Sequence, residues 1–440
     1  MDEQSTLESS AGDPDGGGVA TDASLSNGDM YSGPSRLCPH RLVRRLMIDS
    51  EVCLEDIVWP QGVVRLDIGE PLEIQYALPA ELQYISRIPE CSDCFSTLRW
   101  KLSLPPGAKH LELKGSFDQP LEGIHWPPSL EVLVFGDAFD QSIAGATFPP
   151  RLKSLAFGYA FSHSLDEMKW PASLRHLRLG HSFNRDVSGV RWPSGLCEIH
   201  FGDLFARPIQ DVKWPDSLRR VTFGARFMHS VERVQWPRSL QVLTFGSFYN
   251  CRIEKVIWPE GLKALDMGRS FDQSVERARW PDSLERITFG DSFNQLIEGV
   301  RWPSGLGVLC FGSMFDQEIE RVDFPDSLQH LVFGERFDRS IEAVRFPPSL
   351  LSLKLGACFD QPIEGVKWPP KLERLAFGHY FNQPVENAQW PESLRWLTFG
   401  GFFDQCMKRF KWPPRLESID ISRAWPEDLT SGKCISRPGN

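Results

Sequence analysis

Apolar side chains return along this chain with a period of 22 residues. Each unit is counted here from an aromatic residue followed by proline, taken as position 0. That dipeptide stands at Trp126-Pro127 and recurs at every twenty-second residue as far as Trp412-Pro413, with Phe148, Phe324 and Phe346 in place of Trp. No insertion or deletion breaks the series. A fixed period of this size marks a solenoid, in which a unit buries its apolar face only by stacking on its neighbours.

The pattern inside one unit predicts its local structure. Position 4 is Leu from Leu130 to Leu416, position 7 is Leu, Ile or Val, and position 9 is mostly Phe. Positions 7 and 9 are two apart, so a strand turns both inward and leaves position 8 outward. The Thr and Val residues common at position 8 suit a strand. Position 10 is Gly from Gly136 to Gly400, which predicts a turn with positive φ or a close backbone approach. Position 13, Phe or Tyr, forms a second core layer. Positions 17, 20 and 0 repeat the spacing of 4, 7 and 9, as in Ile363, Val366 and Trp368. The spacing predicts a second strand, ended by the proline at position 1. Two strands per rung, each about 4.8 Å from its copy, would give two parallel sheets around an aromatic core.

Position 14 is Asp or Asn in most units, including Asp118, Asp140, Asn184, Asn250, Asp272 and Asn294, with Ser162, Ala206 and Met228 as exceptions. Asp and Asn share a carbonyl oxygen while only Asn donates, so the position needs an acceptor for a backbone N–H in the turn. A stack of carboxylates would invite calcium, but replacement by Asn, Ser, Ala and Met argues against it. No cofactor is expected. Position 18 is Glu in eight successive units from Glu232 to Glu386, and position 21 is often basic, as at Lys169, Arg301 and Lys367. The two rows read as a solvated, self-compensating face.

The chain has 440 residues and a formal net charge of -10. Residues 1–36 hold seven acids and one base, a charge of -6, which leaves -4 for the other 404 residues. A nearly balanced array is not an electrostatic nucleic-acid binder. The Gly/Ser/Asp-rich segment 1–36 buries too little apolar surface to order and reads as a disordered acidic tail. Residues 37–103 read as an N-terminal cap followed by degenerate repeats, with a short helix near Arg41–Ile48. Residues 104–424 form the regular array and 425–440 a C-terminal tail. Cys91-Ser-Asp-Cys94 offers at best half of a zinc ligand set with no second pair nearby, so no metal site is expected there. Of the ten cysteines, Cys197, Cys251, Cys310, Cys358 and Cys406 sit at unrelated positions of different repeats, as reduced thiols do. No apolar run reaches membrane-spanning length, and the acidic, polar N-terminus is not a secretory signal. The expectation is a soluble, cytoplasmic, monomeric scaffold: mainly β, a parallel β solenoid of 22-residue leucine-rich-repeat-like rungs with terminal caps.

The L-x-x-L-x-F spacing matches the strand segment of a leucine-rich repeat. The consensus WPxSLxxLxFGxxF[DN]QxIExV further resembles the FNIP repeat of that superfamily, common in protists. Phe381-Asn382-Gln383-Pro384-Val385 and Phe359-Asp360-Gln361-Pro362-Ile363 carry its core almost unchanged. The resemblance covers about residues 104–424. It implies a leucine-rich-repeat-like solenoid that acts by protein interaction, with no catalytic residues to carry over.

No nucleotide-binding, metalloprotease, serine-hydrolase or kinase signature occurs, so the chain is expected not to be an enzyme. The leading expectation is a scaffold binding one or more proteins. Two alternatives are a β-helix-type protein that binds or cleaves polysaccharide, and a substrate-receptor arm of a larger complex docked through residues 37–60. The partner-binding residues expected on the sheet of positions 4–9 are Arg178, His200, Thr222, Thr244, Asp266, Thr288, Lys354, Trp396 and Thr398. Trp396 is further expected to form an aromatic patch with Tyr380 and Phe402.

Overall fold

The computed structural model describes residues 45–48, 65–68, 83–86, 106–113, 117–405 and 411–421. The expected disordered segment 1–36, the C-terminal tail 425–440 and the Cys91/Cys94 pair lie outside the described residues.

The strands begin with β1 (Arg45–Ile48), β2 (Arg65–Ile68), β3 (Tyr84–Ser86), β4 (His110–Leu113), β5 (Val132–Phe135) and β6 (Ser154–Ala156). They continue with β7 (His176–Arg178), β8 (Glu198–His200), β9 (Arg220–Thr222), β10 (Val242–Thr244), β11 (Ala264–Asp266) and β12 (Arg286–Thr288). The last six are β13 (Val308–Cys310), β14 (His330–Val332), β15 (Ser352–Lys354), β16 (Arg374–Ala376), β17 (Trp396–Phe399) and β18 (Ser418–Ile421). Each strand pairs in parallel with the next in sequence, and from β5 onward every register step is 22 residues, as in Leu243↔Leu265. The chain is therefore a parallel β solenoid.

Three turns complete each rung. In the unit that starts at Trp126, Leu130 N–H donates to Pro127 O (3.1 Å), Phe139 N–H to Gly136 O (3.3 Å) and Ala146 N–H to Ile143 O (3.0 Å). The third turn overturns the expected second strand. The N–H of position 20 is spent locally on the carbonyl of position 17, so no donor is left there to build a ladder. By contrast, the carbonyl of position 5 accepts from positions 5 and 6 of the next rung, as when Glu131 O receives Lys153 N–H (2.7 Å) and Ser154 N–H (3.0 Å). Identical apolar spacings thus give a strand in one place and a turn in the other. The described residues hold one sheet, not two.

The expected helix near Arg41–Ile48 is also corrected, because β1 occupies Arg45–Ile48 and pairs with β2 from Arg45↔Arg65 to Ile48↔Ile68. Part of the proposed cap is therefore a rung of the same sheet. The degenerate repeats continue it with irregular steps, from Arg65↔Tyr84 to Tyr84↔His110.

The core is a set of columns running through the rungs. Leu at position 4, the aliphatic residues at 7 and 17, and the rings at 9 and 13 are buried almost throughout. Position-13 rings stack between rungs, as Phe293 on Phe315 at 6.0 Å and 5°, and each meets the position-9 ring of its own rung, as Phe289 with Phe293 at 4.1 Å. Such offset pairs contribute about 0.5–1.5 kcal/mol beyond burial. The position-0 rings lie edge-on to position 9, with Phe201 and Trp214 at 85°.

Position 10 is where the backbones of successive rungs come closest. A Cβ built at Gly290 would stand 1.7 Å from the carbonyl oxygen of Gly268 and 2.6 Å from the Arg269 Cα. Of the two sequence expectations for this glycine, close approach is the one realised, and only Gly268 in the column has positive φ.

Candidate interaction surface

The sheet has one inward and one outward face, and positions 6 and 8 supply the outward one. Position 7 is fully buried on β5 to β17, between two more exposed neighbours on most, while its counterpart on the last strand, Ile419, is exposed. The structure places Arg178, His200, Thr222, Thr244, Asp266, Thr288, Lys354 and Thr398 in a single row, since each is at position 8 of its rung. Trp396 joins from position 6, register-paired with Arg374. It sits under two guanidiniums, Arg374 at 4.6 Å and Arg395 at 4.8 Å from the ring centroid. The expected aromatic patch is instead built by His379, Tyr380 and Phe402. Tyr380 and Phe402 stack at 5.2 Å, and His379 meets them at 5.1 and 4.9 Å. These residues belong to the turn of positions 11 and 12, so the patch is separate from the Trp396 cluster. Both its large rings are more than half exposed.

Beyond Trp396, position 6 carries chemistry that spacing alone does not reveal, because its members become neighbours only when rungs are stacked. Glu198 is the clearest case. Its Oε1 lies 2.7 Å from His200 Nε2 and 3.2 Å from Arg220 Nε, and its Oε2 lies 3.1 Å from His176 Nδ1. Burial pushes its carboxyl up, but the hydrogen bonds to His200 and His176 and the charges of His200 and Arg220 outweigh it and hold the pKa below the ordinary value. Asp266 behaves oppositely. Burial raises its pKa against the hydrogen bond that Gly268 N–H donates to its Oδ1 at 3.0 Å. Asp266 on β11 and Asp420 on β18 stand seven strands apart, on the order of 34 Å, far beyond the reach of a paired-carboxylate glycosidase site.

The remaining candidate rows are structural. The position-14 oxygens accept as expected, but their donor is the backbone N–H of position 14 one rung later rather than a donor in their own turn. Asp360 N–H donates to Asp338 Oδ1 at 2.9 Å, and Asn294 N–H to Asp272 Oδ1 at 2.9 Å. Side chains at position 15 add a second donor, as Gln361 Nε2 does to Asp338 Oδ1 at 2.9 Å. Position 3 contributes a parallel device, with Ser283 Oγ donating to Leu262 O at 2.8 Å. Among the described residues no three His, Cys, Asp or Glu side chains are grouped to hold a metal.

The Glu row at position 18 sits in the third turn, not on a strand. Its one described ion pair joins Arg321 to Glu298 at 3.8 Å. Arg321 is at position 19, so the expected compensation from position 21 is not what the rung provides.

Comparisons with known proteins agree with this geometry. A family model described as FNIP Repeat matches residues 101–138, 125–160, 139–182, 315–358 and 359–402. Among solved structures, the chain is similar to CroV588, described as a novel circular LRR protein. The identity is 24%, the match covers 87% of this chain and 73% of that one, and the TM-score is 0.57. An internalin (inlF) from Listeria monocytogenes aligns at 12% identity over 70% of this chain and 86% of its own, with a TM-score of 0.40 too low to bear on the argument. No curated protein matches. No helix among the described residues is long and apolar enough to cross a membrane. The chain thus carries stretches that match the FNIP Repeat model, set in a parallel solenoid of stacked single-strand rungs whose fold is similar to that of a solved leucine-rich-repeat protein.

Proposed function

We propose that the protein is a non-catalytic scaffold that binds one or more proteins through the outward face of its sheet. The observation that carries this reading is the contrast between rows. Positions 4, 10 and 13 repeat nearly the same residue from rung to rung, as stacking and turn geometry demand, and position 18 does so from Glu232 to Glu386. Position 8 runs through Arg178, His200, Asp266, Cys310 and Lys354 on a regular backbone. A rigid lattice with individually chosen outward side chains is the form in which solenoids present a binding surface. The residues Arg178, His200, Thr222, Thr244, Asp266, Thr288, Lys354, Trp396 and Thr398 stand as the proposed contact set.

The array acts as a monomer in this reading, and no cofactor is needed. The described cysteines Cys197, Cys251, Cys310 and Cys358 are all free thiols, which suits a reducing compartment, so we place the protein in the cytoplasm.

Co-purification from native cells tests the reading. Arg178→Glu or Lys354→Glu should lose the captured partner, while Arg301→Glu or Lys367→Glu, at position 21, should keep it. Equal loss, or the reverse order, would remove the sheet face as the site.

A further inference from the structure

The outward face changes character along the sheet. On β7–β9 the one acid at positions 6 and 8, Glu198, sits among His176, His200 and Arg220, with Arg178 beside them on β7. From β12 to β17 the residues at positions 6 and 8 include Arg286, Lys354 and Arg374 and no acid at all. His330 on β14 lies midway, two strands from Arg286 and two from Arg374 in the same position-6 row. Neither Arg286 nor Arg374 forms an ion pair with a described residue, and Arg374 turns instead onto the Trp396 ring. The acids that flank this stretch at position 5 are Glu285, paired with Lys263 at 2.9 Å, and Glu373. The positive field is felt by its neighbours. Burial first, then the charges of Arg286 and Arg374, hold the His330 imidazole below its ordinary pKa. Burial raises the Cys310 thiol to about 11, while Arg286 and Lys354 pull the other way and Asp266, two strands off, adds to the rise.

We infer that the outward face of β12–β17 is a docking track for an extended acidic polypeptide segment, seated across the strands between Arg286 and Trp396. The inference rests on the sheet-face reading above and adds the partner's chemistry to it. Its dimensions fit a peptide. Arg286 on β12 and Arg374 on β16 are four strands apart, on the order of 19 Å, which about six extended residues span. The segment lies over the side chains rather than adding a strand, because the strands within this stretch are already paired on both sides. A polynucleotide fits less well. Its charge would extend past the track onto an array of net negative charge with a Glu row at position 18, where repulsion opposes it. An acidic segment brings a few carboxylates only to where the cations stand. Guanidiniums suit carboxylates because they bind them in a bidentate fork.

The test is fluorescence anisotropy with a labelled octaglutamate peptide on the full chain at low salt. The expected result is saturable binding, weakened at least tenfold in the double variant Arg286→Glu/Arg374→Glu and unchanged in Arg301→Glu/Lys367→Glu. The Gln pair at the same two sites, with an unchanged melting midpoint, should weaken binding in the same direction and so separates lost charge from lost fold. Equal weakening by the two Glu pairs, or no binding above that of an octaserine peptide, would overturn the inference. So would an oligothymidylate that binds more tightly than the peptide through the same two arginines, since the partner class would then be wrong. If peptide binding fails while a partner captured from cells is still lost on Arg178→Glu, the acidic track falls alone. If the captured partner is instead lost only on Arg301→Glu or Lys367→Glu, the sheet-face reading falls with it.

Discussion

Adding a single methyl group at Gly290 should cost more than any outward substitution on the sheet. The Cβ of an alanine there would meet the Gly268 carbonyl oxygen at 1.7 Å, its carbon at 2.5 Å and the Arg269 Cα at 2.6 Å. Normal contact would require the neighbouring backbone to retreat by on the order of 1.5 Å. Extra methylenes that flexible side chains can absorb cost about 1–3 kcal/mol. Here the wall is backbone, and rungs only about 4.8 Å apart cannot part without breaking ladder hydrogen bonds. Gly290→Ala should therefore lose more than about 3 kcal/mol. Gly307→Ala is the matched control, because its Cβ would meet only the Glu285 carbonyl oxygen at an ordinary 3.8 Å. That variant should be neutral or gain up to about 1 kcal/mol from a stiffer unfolded chain. Urea unfolding followed by far-ultraviolet circular dichroism compares the two by midpoint, a safer measure than an extrapolated free energy in a repeat array. Similar midpoints for both variants would refute close backbone approach as the reason for the glycine column.

Three further outcomes follow from single side chains. Asp338→Asn should leave the urea midpoint nearly unchanged because a carbonyl oxygen remains, whereas Asp338→Leu deprives Asp360 N–H and Gln361 Nε2 of their acceptor and should cost about 1–3 kcal/mol; equal losses would show that charge matters rather than acceptance. Tyr249→Phe should raise the melting midpoint by the equivalent of about 1 kcal/mol, since the Tyr249 hydroxyl is buried with no partner among the described residues in a column otherwise made of Phe, and a lower midpoint would mean the hydroxyl is used. Asp266→Asn should gain on the wild type as pH rises. The folded pKa of Asp266 lies above its ordinary 3.8, so its contribution is fully present below that value and is lost as pH climbs through the folded pKa. Melting curves from pH 3 to 7 in which the gap stays constant would contradict this.

Much of the architecture was legible because stacking imposes the same demands on every rung. Period, strand phase and the two ring layers all follow from the spacing of Leu, Phe and Gly, and the acceptor role at position 14 follows from the interchange of Asp and Asn. The second sheet was misread for a physical reason. Ile363, Val366 and Trp368 have the spacing of a strand, yet Val366 N–H returns to Ile363 O at 3.2 Å, and apolar periodicity does not reveal where a backbone donor goes. The helix expected at Arg41–Ile48 failed similarly, since a short mixed apolar and basic run fits a helix or a rung and only pairing with β2 decides. The Glu198 cluster and the cationic track were invisible because most of their members are one to four 22-residue periods apart and share a face only after stacking.

The central claim, that the outward sheet face rather than the Glu-bearing turn meets the partner, is tested most directly by photocrosslinking. A benzophenone amino acid placed at Thr222, Thr244 or Thr288 should form adducts with a partner captured from native cells, and the same group at Arg301 or Arg345 should not. Adducts from Arg301 and Arg345 with none from the three threonines would contradict the account.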